Sequence, residues 1–322
     1  MLVGFFEAVC WALVVVANKR VLAYVNPLPL NFLVRLVSIA GQLAMTIPLT
    51  VFGWWELGFG LTPAAAGYIA VSSLITWLVA FNAYYYALRA GRASVVAPIT
   101  STDPIWAALF AAIILGASLG PVTMIGLLVA NTGVVLIARW MGDEPGDVLD
   151  AATAPVSAAP TSAGAATGDG RARALRVVLL AVVTAAGWGL APVVIELAEN
   201  ANDGPSAGMM VGSQVLGALL LGAIMLARRS RILVRPLAPD ELRRVVWLLV
   251  VAGVLEAIFS VLFYLIIDAI GSVLTVLIIS TSPVFSILGG VLLLKERFGA
   301  RLAFATAITI GGVVLATVAR MS

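Results

Sequence analysis

The chain has 322 residues, 62% of them hydrophobic and 11% charged, with a net charge of +3 and a mean hydropathy of +1.09. Soluble proteins carry roughly 25% charged residues, so most of this chain must lie in lipid, and its basic residues report membrane orientation, not nucleic-acid binding. The lack of histidine and the single cysteine, Cys10, exclude histidine-based zinc sites, Ser-His-Asp triads and intramolecular disulfides; no cofactor or metal is expected.

A bilayer core of ~30 Å is crossed by about 20 apolar residues in a helix. Ten segments meet that length, near 2–22, 28–52, 63–88, 92–115, 119–140, 175–198, 205–227, 243–267, 271–294 and 299–319. The expected fold class is an all-α polytopic membrane protein. Segment one has no basic n-region and carries Glu7 in its apolar run, so a cleaved signal peptide is not expected. Lys19 stands near its end, and Arg35 lies at membrane depth in segment two. Segment three carries Asn82 and Tyr85 and turns into segment four at Ala87-Leu88-Arg89-Ala90-Gly91-Arg92.

Segment four holds Thr100-Ser101-Thr102-Asp103-Pro104. Pro104 lacks an N–H and leaves the carbonyl of Thr100 without its helical partner, so a break is expected there. Small residues and prolines dominate 141–174, and such a composition buries no core. This stretch reads as a disordered linker between residues 1–140 and 175–322. Segment eight carries Glu256 at its middle and is expected to turn into segment nine at Asp268-Ala269-Ile270-Gly271. Segment nine repeats the break motif as Ser280-Thr281-Ser282-Pro283, where Pro283 frees the carbonyl of Ile279.

The two halves repeat. Trp11 pairs with Trp188 and Lys19 with Glu196 at an offset of 177. Tyr85 pairs with Tyr264, Pro104 with Pro283, Gly120 with Gly299 and Gly133 with Gly312 at an offset of 179. Five segments per half is an odd number, so the second half enters the membrane in the opposite sense, which predicts two inverted five-helix repeats. Sixteen of the seventeen basic residues outside the membrane flank the odd-numbered connections; Arg320 is the exception. The positive-inside rule then places those connections in the cytoplasm and both termini outside.

The stretches from Ala83-Tyr84-Tyr85-Tyr86 to Pro104, and from Phe263-Tyr264 to Leu294-Lys295-Glu296-Arg297-Phe298-Gly299, resemble the two repeats of the EamA family of the drug/metabolite transporter superfamily. Trp11 followed by Lys19, and then Arg35, are similar to its first two helices. The resemblance implies a ten-helix permease moving small organic metabolites by alternating access, commonly as an exporter. Two departures stand out. The acidic residue usual after the fourth helix survives as Glu296, but half one has Gly116-Ala117-Ser118. Members also usually keep both termini in the cytoplasm, against the charge count.

Charges at membrane depth normally face the interior or a water-filled cavity. Glu256 reads as a site for a cargo amine or a proton, or as a buried carboxylate paired with Arg35 or Lys19. Asp103 is a second carboxylate candidate, or it bonds backbone freed by the break. Arg35 can hold a carboxylate by two parallel hydrogen bonds or neutralise an acid, and Lys19 can reach cargo or snorkel. Thr100, Ser101, Ser280, Ser282 and Asn82 are polar groups that can line a path, and Tyr85 and Tyr264 can wall it. Asp268 and Glu296 are expected as interfacial ion pairs.

Together these features predict a secondary active transporter for a small organic solute such as an amino acid, set in the cytoplasmic membrane. No phosphate-cradling motif is present, so an ion or solute gradient, protons among them, is the expected energy source. The expected partners are lipid and a small-molecule substrate, and a homodimer is compatible with the reading. The alternatives are a receptor or scaffold on the same fold and an intramembrane enzyme; the latter needs facing aspartates that Asp103 and Asp268 do not provide.

Overall fold

A computed structural model describes residues 2–52, 61–116, 118, 120–141, 166–202, 207–279, 282–296 and 298–318. In chain order its helices are α1 (Leu2–Val21), α2 (Pro27–Val51), α3 (Pro63–Ser73), a π-helical stretch (Leu74–Ala80), α4 (Phe81–Ala90), α5 (Ala93–Thr100), α6 (Asp103–Ile114) and α7 (Pro121–Met141). After the interval come α8 (Ala166–Asn200), α9 (Ala207–Ala227), α10 (Pro239–Ile279), α11 (Ser282–Leu293) and α12 (Ala300–Val318). Proline at the first turn starts several of them, because its missing N–H is one the helix end leaves unpaired anyway. Among the described residues, six apolar columns are long enough to cross a bilayer, and three shorter apolar helices accompany them. The chain is a multi-pass membrane protein.

Elements repeat in register. The first break separates Thr100 from Asp103; the positions 179 residues later are Ile279, the last described residue of α10, and Ser282, the first of α11, and residues 280–281 lie outside the described residues. The end of α6 and the start of α7, Ile114 and Pro121, likewise correspond to Leu293 and Ala300. Packing follows the same exchange: α1 lies against α10 and α11, while α8 lies against α3, the π stretch, α4 and α6. The two last helices, α7 and α12, pack on one another.

Hydrogen bonds gather the odd-numbered connections at one end. Val25 bridges Leu233, Asn26 Nδ2 donates to the Arg231 carbonyl at 2.8 Å, and Arg89 Nη1 donates to Asn26 Oδ1 at 2.7 Å. Arg20 Nη2 donates to the Leu293 carbonyl, 2.8 Å, and Arg173 Nε to the Ala90 carbonyl, 3.0 Å. At the opposite end the Thr62 hydroxyl donates to the carbonyl of Ala201, 2.8 Å. Arg20, Arg89 and Arg173 therefore share one rim of the bundle with the Arg231 connection.

Two expectations are corrected. Helix α8 begins at Ala166, inside the stretch read as linker; residues 142–165 lie outside the described residues. The turn expected at Asp268–Gly271 is not formed, because α10 continues through it to Ile279. Half one shows why. There the turn at Gly91–Arg92 is clamped: Lys19 Nζ donates to the Leu88 carbonyl at 2.6 Å and to that of Gly91, while Glu296 accepts from the N–H groups of Ala93 (2.7 Å) and Ser94 (2.8 Å). A cation on terminal carbonyls and a carboxylate on first-turn N–H groups both favour a helix end. In half two the corresponding positions are Glu196 and Ala117, which supply neither. A lone Gly271 without proline disfavours a helix by only about 1 kcal/mol.

Glu296 is thus a helix cap and not the interfacial ion pair expected of it. Gly290 makes room for it, since a Cβ there would stand 2.7 Å from Glu296 Oε2.

Candidate functional site

The deepest polar cluster joins both halves. Arg35 of α2 forms an ion pair with Glu256 of α10, and the two side chains are 0% and 2% exposed. Close backbone approach places them together: a Cβ on Gly41 would lie 2.8 Å from the Cβ of Ala257, so α2 and α10 meet where both residues are small. Arg35 Nη1 donates to Gln214 Oε1 of α9 at 3.4 Å. Gly217 brings α9 in, because a Cβ there would meet Trp77 at 2.6 Å.

The guanidinium lies over two rings, 4.3 Å from the centroid of Trp77 and 4.7 Å from that of Phe81. Desolvated cation–π contacts are worth about 2 kcal/mol, so these faces offset part of the cost of burying the charge. Trp77 sits in the π-helical stretch, and Asn31 Nδ2 donates to its carbonyl at 2.7 Å. Such stretches recur at functional sites because they re-aim side chains that a regular helix would turn away.

Arg35 and Gln214 are 179 residues apart, as are Trp77 and Glu256. The cluster is therefore two pairs of equivalent positions, one from each half, facing one another. Only one of the two cross-pairs carries charge.

Beyond it lies an aromatic enclosure. Trp11 stands 5.5 Å from Trp188, 5.0 Å from Phe259 and 6.0 Å from Tyr84, centroid to centroid. Phe81 and Tyr84 each lie 5.2 Å from Trp188. Buried polar atoms in and beside it have no hydrogen-bond partner: Tyr84 Oη, Trp188 Nε1, Arg35 Nε and Glu256 Oε2. A buried polar group without a partner costs about 1–3 kcal/mol, and a cluster of three donors and a carboxylate oxygen is what a polar solute satisfies. Tyr85 is fully buried beside it, its hydroxyl accepting from Asn18 Nδ2 at 3.4 Å.

The other expected residues lie elsewhere. Lys19 donates to the carbonyls of Leu88 and Gly91 at the turn that ends α4. Thr100, Ser101 and Thr102 use their hydroxyls within the first break, donating to the carbonyls of Ala97 and Ile99 at 2.8–3.1 Å. Asp103 opens α6, where its carbonyl lies against Gly189, the neighbour of Trp188; a Cβ on Gly189 would be 2.6 Å away. Pro104 occupies the first turn of α6. Asn82 Nδ2 donates to the Leu78 carbonyl, 2.7 Å, within its own column.

Ser280 lies outside the described residues, as do the side chains of Tyr264, Ser282, Pro283, Asp268 and Glu7. Of the expected set, the structure brings together Arg35, Glu256 and Tyr85. It adds Asn18, Phe81 and Phe259, which sequence reasoning passed over; none is a charge or a break. Gln214 was legible as the repeat partner of Arg35.

The sequence pattern of the EamA-like transporter family matches residues 1–139 and again residues 175–318. The chain belongs to that family. Its two matches cover both halves and leave out the interval between them. A crystal structure described only as that of a protein aligns over 100% of this chain and 98% of its own, with a TM-score of 0.58 and 20% identity. At that identity the likeness is one of fold alone. No match is found among curated proteins.

Proposed function

We propose that this EamA-like protein is a secondary active transporter of a small organic solute. Its two halves, taken as inverted repeats in the cytoplasmic membrane, open a central site alternately to either side. The observation that carries this reading is the Arg35–Glu256 pair, buried at membrane depth and built from one residue of each half. Relative movement of the halves must make or break that pair.

The partners define a coupling step. A proton taken up by the Glu256 carboxylate dissolves the ion pair and leaves the guanidinium uncompensated. A solute carboxylate then takes its place on Arg35 by two parallel hydrogen bonds, while the donors on Tyr84 and Trp188 hold the solute's polar atoms and the rings hold its apolar part. Release of the proton on the other side restores the pair and expels the solute. Amino acids and similar metabolites fit this set of groups, and in this cycle they travel in the same direction as the proton. Asp103, one helix contact away from Trp188, is the second carboxylate along the path.

Counterflow in proteoliposomes, with a panel of amino and organic acids, tests the reading. Flux that rises with a proton gradient in the wild type and loses its pH dependence in Glu256→Gln is the expected result. Unchanged flux and pH dependence in both Glu256→Gln and Asp103→Asn would remove the coupling assignment, and absence of solute-dependent counterflow would favour a receptor or scaffold.

A further inference from the structure

At the basic rim, a cavity of about 340 Å³ opens on the outer surface between α4 and α8. It is lined by Tyr86, Arg89 and Ala90 of α4 and by Arg176 of α8. Both arginines are exposed, and among the described residues neither pairs with a carboxylate. One N–H of Arg89 is fixed on Asn26 Oδ1 at 2.7 Å, which holds that guanidinium in place and leaves the rest of its fork open. Arg173 adds a third cation at the margin by its bond to the Ala90 carbonyl.

The surface beneath is apolar. The two helices run antiparallel: Gly91 abuts Val177, and Gly187 abuts Ala80. Leu179 and Val183 follow Arg176 at helical spacing and are 55% and 43% exposed, while Tyr86 (41%) and Val79 (50%) line the facing column. Two cations, of which Arg89 is held by Asn26, thus cap a seam with exposed apolar walls and a tyrosine, a residue type enriched at bilayer interfaces. A soluble anion would use the cations and leave the seam; a lipid uses both.

We propose that this seam binds an anionic phospholipid, its phosphate on Arg89 and Arg176, its glycerol region beside Tyr86 and its acyl chains along Leu179, Val183 and Val79. Basic pockets between membrane helices take such headgroups. The bound lipid holds α4 to α8 and so couples the two halves at that rim.

The test uses the full-length protein in nanodiscs and in detergent. Phosphatidylglycerol retention is titrated against phosphatidylcholine by native mass spectrometry, with inorganic phosphate and glycerol 3-phosphate as tail-free controls. The wild type is expected to retain phosphatidylglycerol preferentially. Arg89→Gln/Arg176→Gln is expected to weaken that retention roughly fivefold for each arginine removed, whereas Arg228→Gln/Arg229→Gln leaves it unchanged. Equal retention in the wild type and the α4/α8 double variant overturns the proposal, and so does displacement of the lipid by either tail-free phosphate at matched concentration. Should the double variant not fold, a photoactivatable phosphatidylglycerol on the wild type decides: label in peptides spanning 79–90 or 173–183 supports the site, and label elsewhere alone overturns it.

Discussion

At the scale of single residues, Arg35 and Glu256 set the terms. Each buried charge is tolerated because the other is present, and removing one partner of a buried pair costs about 3–5 kcal/mol through the charge left behind. Glu256→Gln should therefore lower the melting temperature in nanodiscs markedly. Arg35→Met/Glu256→Met should recover most of that loss, since a buried pair replaced by apolar side chains is often neutral in stability. The same double variant should carry no solute. A double variant that melts low and still transports would show the pair to be a packing device. Glu296 is a different kind of charge, with both oxygens on first-turn N–H groups of α5. Glu296→Ala should cost about 1–2 kcal/mol, the range for losing a helix cap, and hydrogen exchange at Ala93 and Ser94 should rise while that of α7 stays level.

Between elements, close contact depends on which residues lack a side chain. Gly312 of α12 faces Ala130 of α7, and a Cβ built on it would stand 2.8 Å from the Cβ of Ala130; the adjacent Gly311 has nothing within 4 Å. Gly312→Val should destabilise by about 1–3 kcal/mol, as overpacking does, and Gly311→Val should be close to neutral in the same melt. Equal effects at the two positions would mean that α7 and α12 do not cross there. The break between α5 and α6 was legible because proline removes a donor at a fixed place. The run-on of α10 was not: it depends on whether distant residues, Lys19 and Glu296 in one half and Glu196 and Ala117 in the other, clamp the turn. The π-helical stretch was hidden for a related reason. Leu74–Ala80 has an ordinary apolar composition, and its altered winding is held by contacts such as Asn31 on the Trp77 carbonyl.

At the scale of the molecule, the repeat carries most of what could be read in advance. A constant offset relates the element ends around the first break to those of α10 and α11 and locates both last helices, and it also pairs Arg35 with Gln214. What a repeat cannot reveal is which equivalent positions come face to face. That required the crossing of α2 and α10 at Gly41 and Ala257. Orientation belongs to this scale too: the basic rim should be cytoplasmic, so a cytoplasm-dependent reporter inserted after Ser230 should be active. An inactive reporter there would reverse the assignment.

The central claim is that the space around Arg35, Gln214 and Glu256 is reached from both sides of the membrane in turn. Thiol accessibility tests it without knowledge of the solute. In a Cys10→Ala background, Gln214→Cys is exposed to a membrane-impermeant maleimide added to sealed vesicles from the outside or trapped within them. Alternating access predicts modification from either face and slower modification when a transported solute is present. Modification from one face alone, or from neither, would contradict it.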